Sequence, residues 1–70
     1  MFKERVKTCR KSINKTQKEV AEFLGITDRA YQHYESGARF PDFHGIIKLC
    51  NYFNVSADYL LGLSDDPTRH

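Results

Sequence analysis

The stretch Thr16–Gly37, TQKEVAEFLGITDRAYQHYESG, constrains this chain more than any other. Thr16 and Glu19 have the T-x-x-E spacing of a capping box, in which each side chain satisfies a backbone N–H of the other residue, so a helix is predicted to begin at Thr16. Val20, Ala21 and Leu24 give that helix an apolar stripe. Gly25 ends it, because glycine takes the left-handed conformation of a tight C-terminal turn without a Cβ penalty. Ile26 turns back to the core, and the hydroxyl of Thr27 is placed to cap a second helix. Ala30, Tyr31 and Tyr34 form the inner stripe of the second helix, and Gly37 stops it. Ala21 falls where the two helices cross, so a larger side chain there would push them apart.

Two short helices joined by a three-residue turn make a helix-turn-helix unit. The outer face of its second helix carries Asp28, Arg29, Gln32, His33 and Ser36. All are polar, and Arg, Gln and Asp have the donors and acceptors that pair with base edges in a major groove. Asp28 has a second use, since a carboxylate in a first turn complements the helix dipole. Gln17 lies at the start of the first helix of the unit, where backbone N–H groups and the dipole favour an anion. Its amide can bond a phosphate, brace a base-reading side chain, or simply face solvent.

The rest of the chain reads as three more helices. Residues 2–13 repeat Phe2, Val6, Cys9 and Ile13 on one face. Lys3, Lys7 and Lys11 share another face, either solvated or touching phosphates. After the unit, Asp42 is the expected cap of a helix that buries Phe43, Ile46, Ile47, Leu49, Cys50 and Phe53. Gly45 inside it costs about 1 kcal/mol relative to alanine, a cost that close packing against another helix would account for. Asn54 is a plausible left-handed end, Val55 returns to the core, and Ser56 caps a last helix packed through Tyr59, Leu60 and Leu61 and stopped by Gly62. No strand pattern competes, so the fold class is all-α, a compact five-helix domain over residues 1–62. Residues 63–70 read as a polar tail that frays.

A chain of 70 residues is one domain and buries only about 60% of its unfolded surface, which demands a dense core or a partner. No apolar run approaches the length of a membrane span. The charged N-terminus lacks a hydrophobic signal segment, so a cytoplasmic protein is expected. The net charge of +2 is unevenly spread: residues 1–40 hold nine basic and five acidic side chains, and residues 41–70 hold two and four. A polyanion would therefore meet the first half. Cys9 and Cys50, forty-one positions apart, read as buried small hydrophobes rather than a disulfide. His33, His44 and His70 do not supply a zinc site with them. No cofactor-binding glycine loop is present, and no nucleophile stands beside a histidine and a carboxylate. His33 and Glu35 project from different sides of one helix, so an enzyme is not expected.

The segments TQKEVAEFLGI, YESG and PDFHGIIKLCNYFNVSADYLLG resemble the phage-repressor and Cro-type helix-turn-helix family over roughly residues 3–62. Tyr31 departs from it, standing where the family usually has a β-branched or smaller apolar residue. The resemblance implies a lambda-repressor-like fold and a transcriptional regulator of repressor type, whose second unit helix lies in the major groove. It implies DNA contacts from Gln17, Thr27, Asp28, Arg29, Gln32, His33, Ser36 and Arg39, the last from a loop over the DNA backbone at residues 37–41. It implies an ion pair between Arg10 and Glu35, and a weak homodimer on a two-fold operator with its contact around Tyr52, Asn54 and Tyr59. The alternative use of the same fold is a protein-binding module, including an antitoxin whose partner is a toxin. The basic first half and the polar outer face argue against pure protein binding.

Overall fold

Side-chain caps set the start of four of the five helices. A computed structural model describes residues 1–69 and contains α1 (Phe2–Ser12), α2 (Gln17–Leu24), α3 (Asp28–Ser36), α4 (Phe43–Phe53) and α5 (Ala57–Leu60). Thr16 and Glu19 form both bonds of the capping box at α2, at 3.1 and 2.9 Å. Thr27, Asp42 and Ser56 accept from the N–H groups of Ala30, Gly45 and Tyr59 and so cap α3, α4 and α5. α2 closes on left-handed Gly25, with the N–H groups of Gly25 and Ile26 bonded to the carbonyls of Glu22 and Ala21. Asn14 and Asn54 take the same left-handed role after α1 and α4, each with φ 57°.

The core is assembled from one stripe per helix. Phe2, Val6 and Cys9 of α1 meet Val20, Ala21 and Leu24 of α2, Tyr31 of α3, Leu49, Cys50 and Phe53 of α4, then Val55 and Leu60. Ala21 is fully buried, as the close crossing of α2 and α3 requires. Both cysteines are buried free thiols. Among the described residues no group of three or more His, Cys, Asp or Glu is placed to hold a metal, and no helix is long and apolar enough to cross a membrane. His70, considered above for zinc, lies outside the described residues.

Four expectations about packing are corrected. Phe43, Ile47 and Leu61 are exposed at 76%, 44% and 44%, because α4 and α5 show the core only one side of their broad apolar stripes. Ile13 is exposed too, since α1 ends before it at Ser12. Gly45 makes its close approach to the loop before its own helix and not to another helix: a Cβ there would sit 2.7 Å from Cβ of Pro41. The segment after α5 is tied down instead of frayed. Arg5 of α1 donates to the carbonyls of Tyr59 and Ser64 at 3.1 and 2.9 Å and pairs with Asp65 at 2.6 Å, while its guanidinium lies 4.1 Å above the Tyr59 ring. Beyond it, the Ser56 N–H donates to the Pro67 carbonyl at 3.0 Å and Arg69 donates to Asn51 at 2.7 Å.

Candidate nucleic-acid interface

α3 is presented to solvent by its two ends. Its N-terminus follows the Gly25–Ile26–Thr27 turn, and its last turn is held by Glu35. The buried side of α3 carries Tyr31, fully enclosed, with Tyr34 edge-on to it at 6.1 Å between ring centroids. What remains outward is the polar row read from the sequence. Arg29 and Gln32 are exposed, and His33 is half-buried beside them. Thr27, Arg29, Ala30, His33 and Arg39 line one shallow depression, so the loop after α3 delivers a cation to the same face as the helix. Asp28 is exposed in the first turn of α3. Ser36 is exposed as well, but its hydroxyl is engaged locally, donating to the His33 carbonyl and accepting from the Ala38 N–H.

A second shallow depression lies at the start of α2, lined by Arg10, Lys11, Asn14, Lys15, Thr16 and Gln17. Lys11 and Lys15 bring positive charge to the end of α2 where its dipole is also positive. Lys11 belongs to the row of three lysines weighed as phosphate contacts, whereas nothing in the sequence motif singles out Lys15, although the basic excess of the first half points to this region. Lys3 lies elsewhere, with its stem against Gly37 at the C-terminus of α3, where a cation complements the dipole.

Behind the interface is a polar cluster centred on Glu35. Arg10 donates to its two oxygens from Nε at 2.6 Å and Nη2 at 3.1 Å. The Tyr31 hydroxyl donates at 2.5 Å and the Gln17 amide at 3.1 Å. Arg10 also donates from Nη1 to the Lys15 carbonyl at 2.9 Å. The Arg10 and Glu35 side chains are only 12% and 4% exposed, so this is a buried bidentate pair of the stronger type. Burial pushes the Glu35 carboxyl up, but the bonds from Arg10, Tyr31 and Gln17 outweigh it and hold the group below the usual carboxylate range. Burial and the bond to Glu35 push the Tyr31 phenol up, so it stays a donor. Gln17 thus sits at the α2 terminus with one amide hydrogen committed to Glu35 and one left over. Tyr31 belongs to the cluster through i, i+4 spacing to Glu35, a relation visible in the sequence but masked by the apolar reading of the ring.

The aromatics expected at a dimer contact are mostly turned inward. Tyr52 and Tyr59 pack against the core, Tyr52 also stacking on exposed Phe23 at 4.3 Å. An apolar groove lies instead between α4 and α5, where exposed Phe43, Ile47 and Leu61 stand around the buried Cys50 and Val55, with Arg69 also lining it.

A family profile described as a helix-turn-helix domain matches residues 3–65. The HTH-type transcriptional regulator YqaE of Bacillus subtilis, described as uncharacterized, is 49% identical over 61 residues, 87% of this chain and 53% of that protein. The cryptic phage CTXphi transcriptional repressor RstR of Vibrio cholerae is 40% identical over 61 residues, 87% of this chain and 54% of that protein. The N-terminal DNA-binding domain of SinR from Bacillus subtilis superposes with a TM-score of 0.78 at 26% identity, covering 87% of this chain and 90% of that domain. The chain spans about half the length of these two curated relatives.

Proposed function

The chain belongs to the helix-turn-helix domain family, and from that premise we propose that it binds a double-stranded DNA operator as a transcriptional repressor. The observation that carries this reading is the outward face of α3. It is anchored at both ends, polar throughout, and supplemented by Arg39 in the depression shared with Arg29 and His33. α3 enters the major groove, where Arg29 bonds the O6 and N7 of a guanine and Gln32 the N6 and N7 of an adenine. Thr27, Asp28, His33 and Ser36 border that contact, with Asp28 serving mainly the helix dipole. Gln17, Arg39 and the lysines at the start of α2 take backbone phosphates and fix the register. The binding role involves no chemical step and no cofactor, and it places the protein in the cytoplasm, where buried free thiols stay reduced.

One small domain reads a short site, so two copies on a two-fold operator complete the reading, with half-sites about 34 Å apart. The α4–α5 groove with its exposed Phe43, Ile47 and Leu61 is the surface for the second copy, forming a weak dimer. A toxin-like protein on that groove is the competing occupant. Selection from a random double-stranded library tests the reading: a recovered symmetric motif supports it. Recovery of no sequence above background, at low salt, overturns DNA binding and leaves a protein-binding module.

A further inference from the structure

The carboxylate of Glu35 is saturated. Two oxygens offer about four lone-pair sites, and four donors fill them: two nitrogens of Arg10, the Tyr31 hydroxyl and the Gln17 amide. The donors come from three helices, and Arg10 extends the set to the α1–α2 connection through the Lys15 carbonyl. Among the described residues no buried side-chain polar atom lacks a partner, so the cluster holds no slack. α3 has nine residues and is held at its first residue by the turn and near its last by Glu35. The base-facing side chains Arg29 and Gln32 lie between those two points. Gln32 is about 6 Å along the helix from the start of α3, so a rock of about 10° about the turn moves it by about 1 Å. That exceeds the roughly 0.5 Å within which a binding constellation must be held.

We propose that Tyr31 and Gln17 are positioning residues for base discrimination: through the one carboxylate of Glu35 they lock the tilt of α3 to the phosphate-facing end of α2. The inference rests on the proposal that α3 reads DNA. Tyr31 donates along its own helix and fixes the Glu35 side chain in the orientation that meets Arg10 and Gln17. Gln17 carries the lock across to α2. With its remaining amide hydrogen at the helix terminus, it ties a bound phosphate to the same carboxylate that holds α3. Phosphate anchoring and base reading are then one rigid geometry.

Tyr31→Phe tests this, since it removes a donor and keeps the ring. Gln17→Met is the second variant, removing the α2 donor without entering the core. Binding to the selected operator and its single-base variants is measured where circular dichroism shows each protein folded. The expected result is that both variants lose roughly three- to tenfold in preference at the positions read by Arg29 and Gln32, out of the about 5- to 150-fold a bidentate base contact carries. Tyr31→Phe keeps the wild-type salt dependence. A hydroxyl that serves stability alone lowers the melting temperature and leaves the preferences within twofold of wild type, and that result overturns the proposal. Uniform weakening on all sequences by Gln17→Met likewise overturns it, leaving a plain phosphate contact. Arg29→Ala separates the two levels. Relaxed preference in Arg29→Ala with none in Tyr31→Phe or Gln17→Met refutes only the positioning role. Unchanged preference in all three refutes base reading by α3 as well.

Discussion

Gly45→Ala sets two effects of known size against each other. Alanine inside a helix is favoured over glycine by about 1 kcal/mol, and Gly45 lies within α4, so helix propensity alone makes the substitution stabilising. The structure opposes this. The added Cβ would lie 2.7 Å from Cβ of Pro41 and 3.4 Å from Oδ1 of Asp42, whereas carbon atoms rest about 3.5–4.0 Å apart. Pro41 must therefore retreat by about 1 Å. Its ring is fused to the backbone, so the retreat drags Asp42, whose carboxylate caps α4 by accepting from the Gly45 N–H at 2.8 Å. Overpacking of this kind costs about 1–3 kcal/mol, and a weakened cap adds up to about 1 kcal/mol. The cost wins, and Gly45→Ala is expected to destabilise by about 1–2 kcal/mol. Urea denaturation reads this as a midpoint lowered by about 1 M or more, with an unchanged slope. In a Pro41→Gly background the obstructing Cβ is gone, and the same substitution should then stabilise by up to about 1 kcal/mol. A raised midpoint for Gly45→Ala in the otherwise unaltered protein would refute the reasoning.

Arg10→Met should destabilise by about 3 kcal/mol, the low end for a broken buried pair because Tyr31 and Gln17 still solvate Glu35; chemical denaturation measures it. Glu35 has a lowered pKa in the folded state, so its contribution is full above the unfolded value near 4.5 and is lost as pH falls through the folded value. Arg10→Met removes the strongest bond that lowers it, so stability should fall less steeply below that pH than in the wild type. Arg29→Ala should cost about 1–3 kcal/mol on the selected operator and relax one base pair, whereas Arg39→Ala should weaken all sequences alike and reduce the salt slope by about one, as titrations at several salt concentrations would show. Cys9 and Cys50, buried and with thiol pKa values raised by that burial, should react with a thiol reagent only slowly in the native state and fully in denaturant. Fast native labelling of both would contradict their burial.

Local chemistry was legible in the sequence and long-range chemistry was not. Thr16 with Glu19, Thr27, Asp42 and Ser56 name their own helix starts because a cap bonds an N–H two or three residues away. Gly25, Gly37 and Asn54 name the ends for a similarly local reason. Arg10 and Glu35 lie 25 residues apart, and only the family resemblance joined them. The bond from Gln17 to Glu35 went unforeseen, because Gln17 on a helix terminus reads equally well as a free surface amide. Periodicity overstated burial at Phe43, Ile47 and Leu61, since it shows that a face is apolar but not how much of it a neighbouring helix covers. The outward row of α3 was legible because its polar residues share one face, but the inner stripe was overstated: Tyr31 is buried, whereas Ala30 lines the outward depression with Arg29 and His33.

The clasp made by Arg5 bears on the order in which the molecule assembles. α5 has four residues, far below the length at which a helix persists unaided in water. The Tyr59 carbonyl in its last turn and the Ser64 carbonyl behind it reach their donor Arg5 only after the chain has closed a loop of more than fifty residues, an entropic debt that the local contacts of α2 and α3 never incur. α5 and the segment behind it are therefore expected to form late in folding and to open early from the native state, as a unit coupled to the first turns of α1 as well as to the neighbouring α4. Amide hydrogen exchange is expected to show the two ends of the sequence opening together, ahead of α2 and α3.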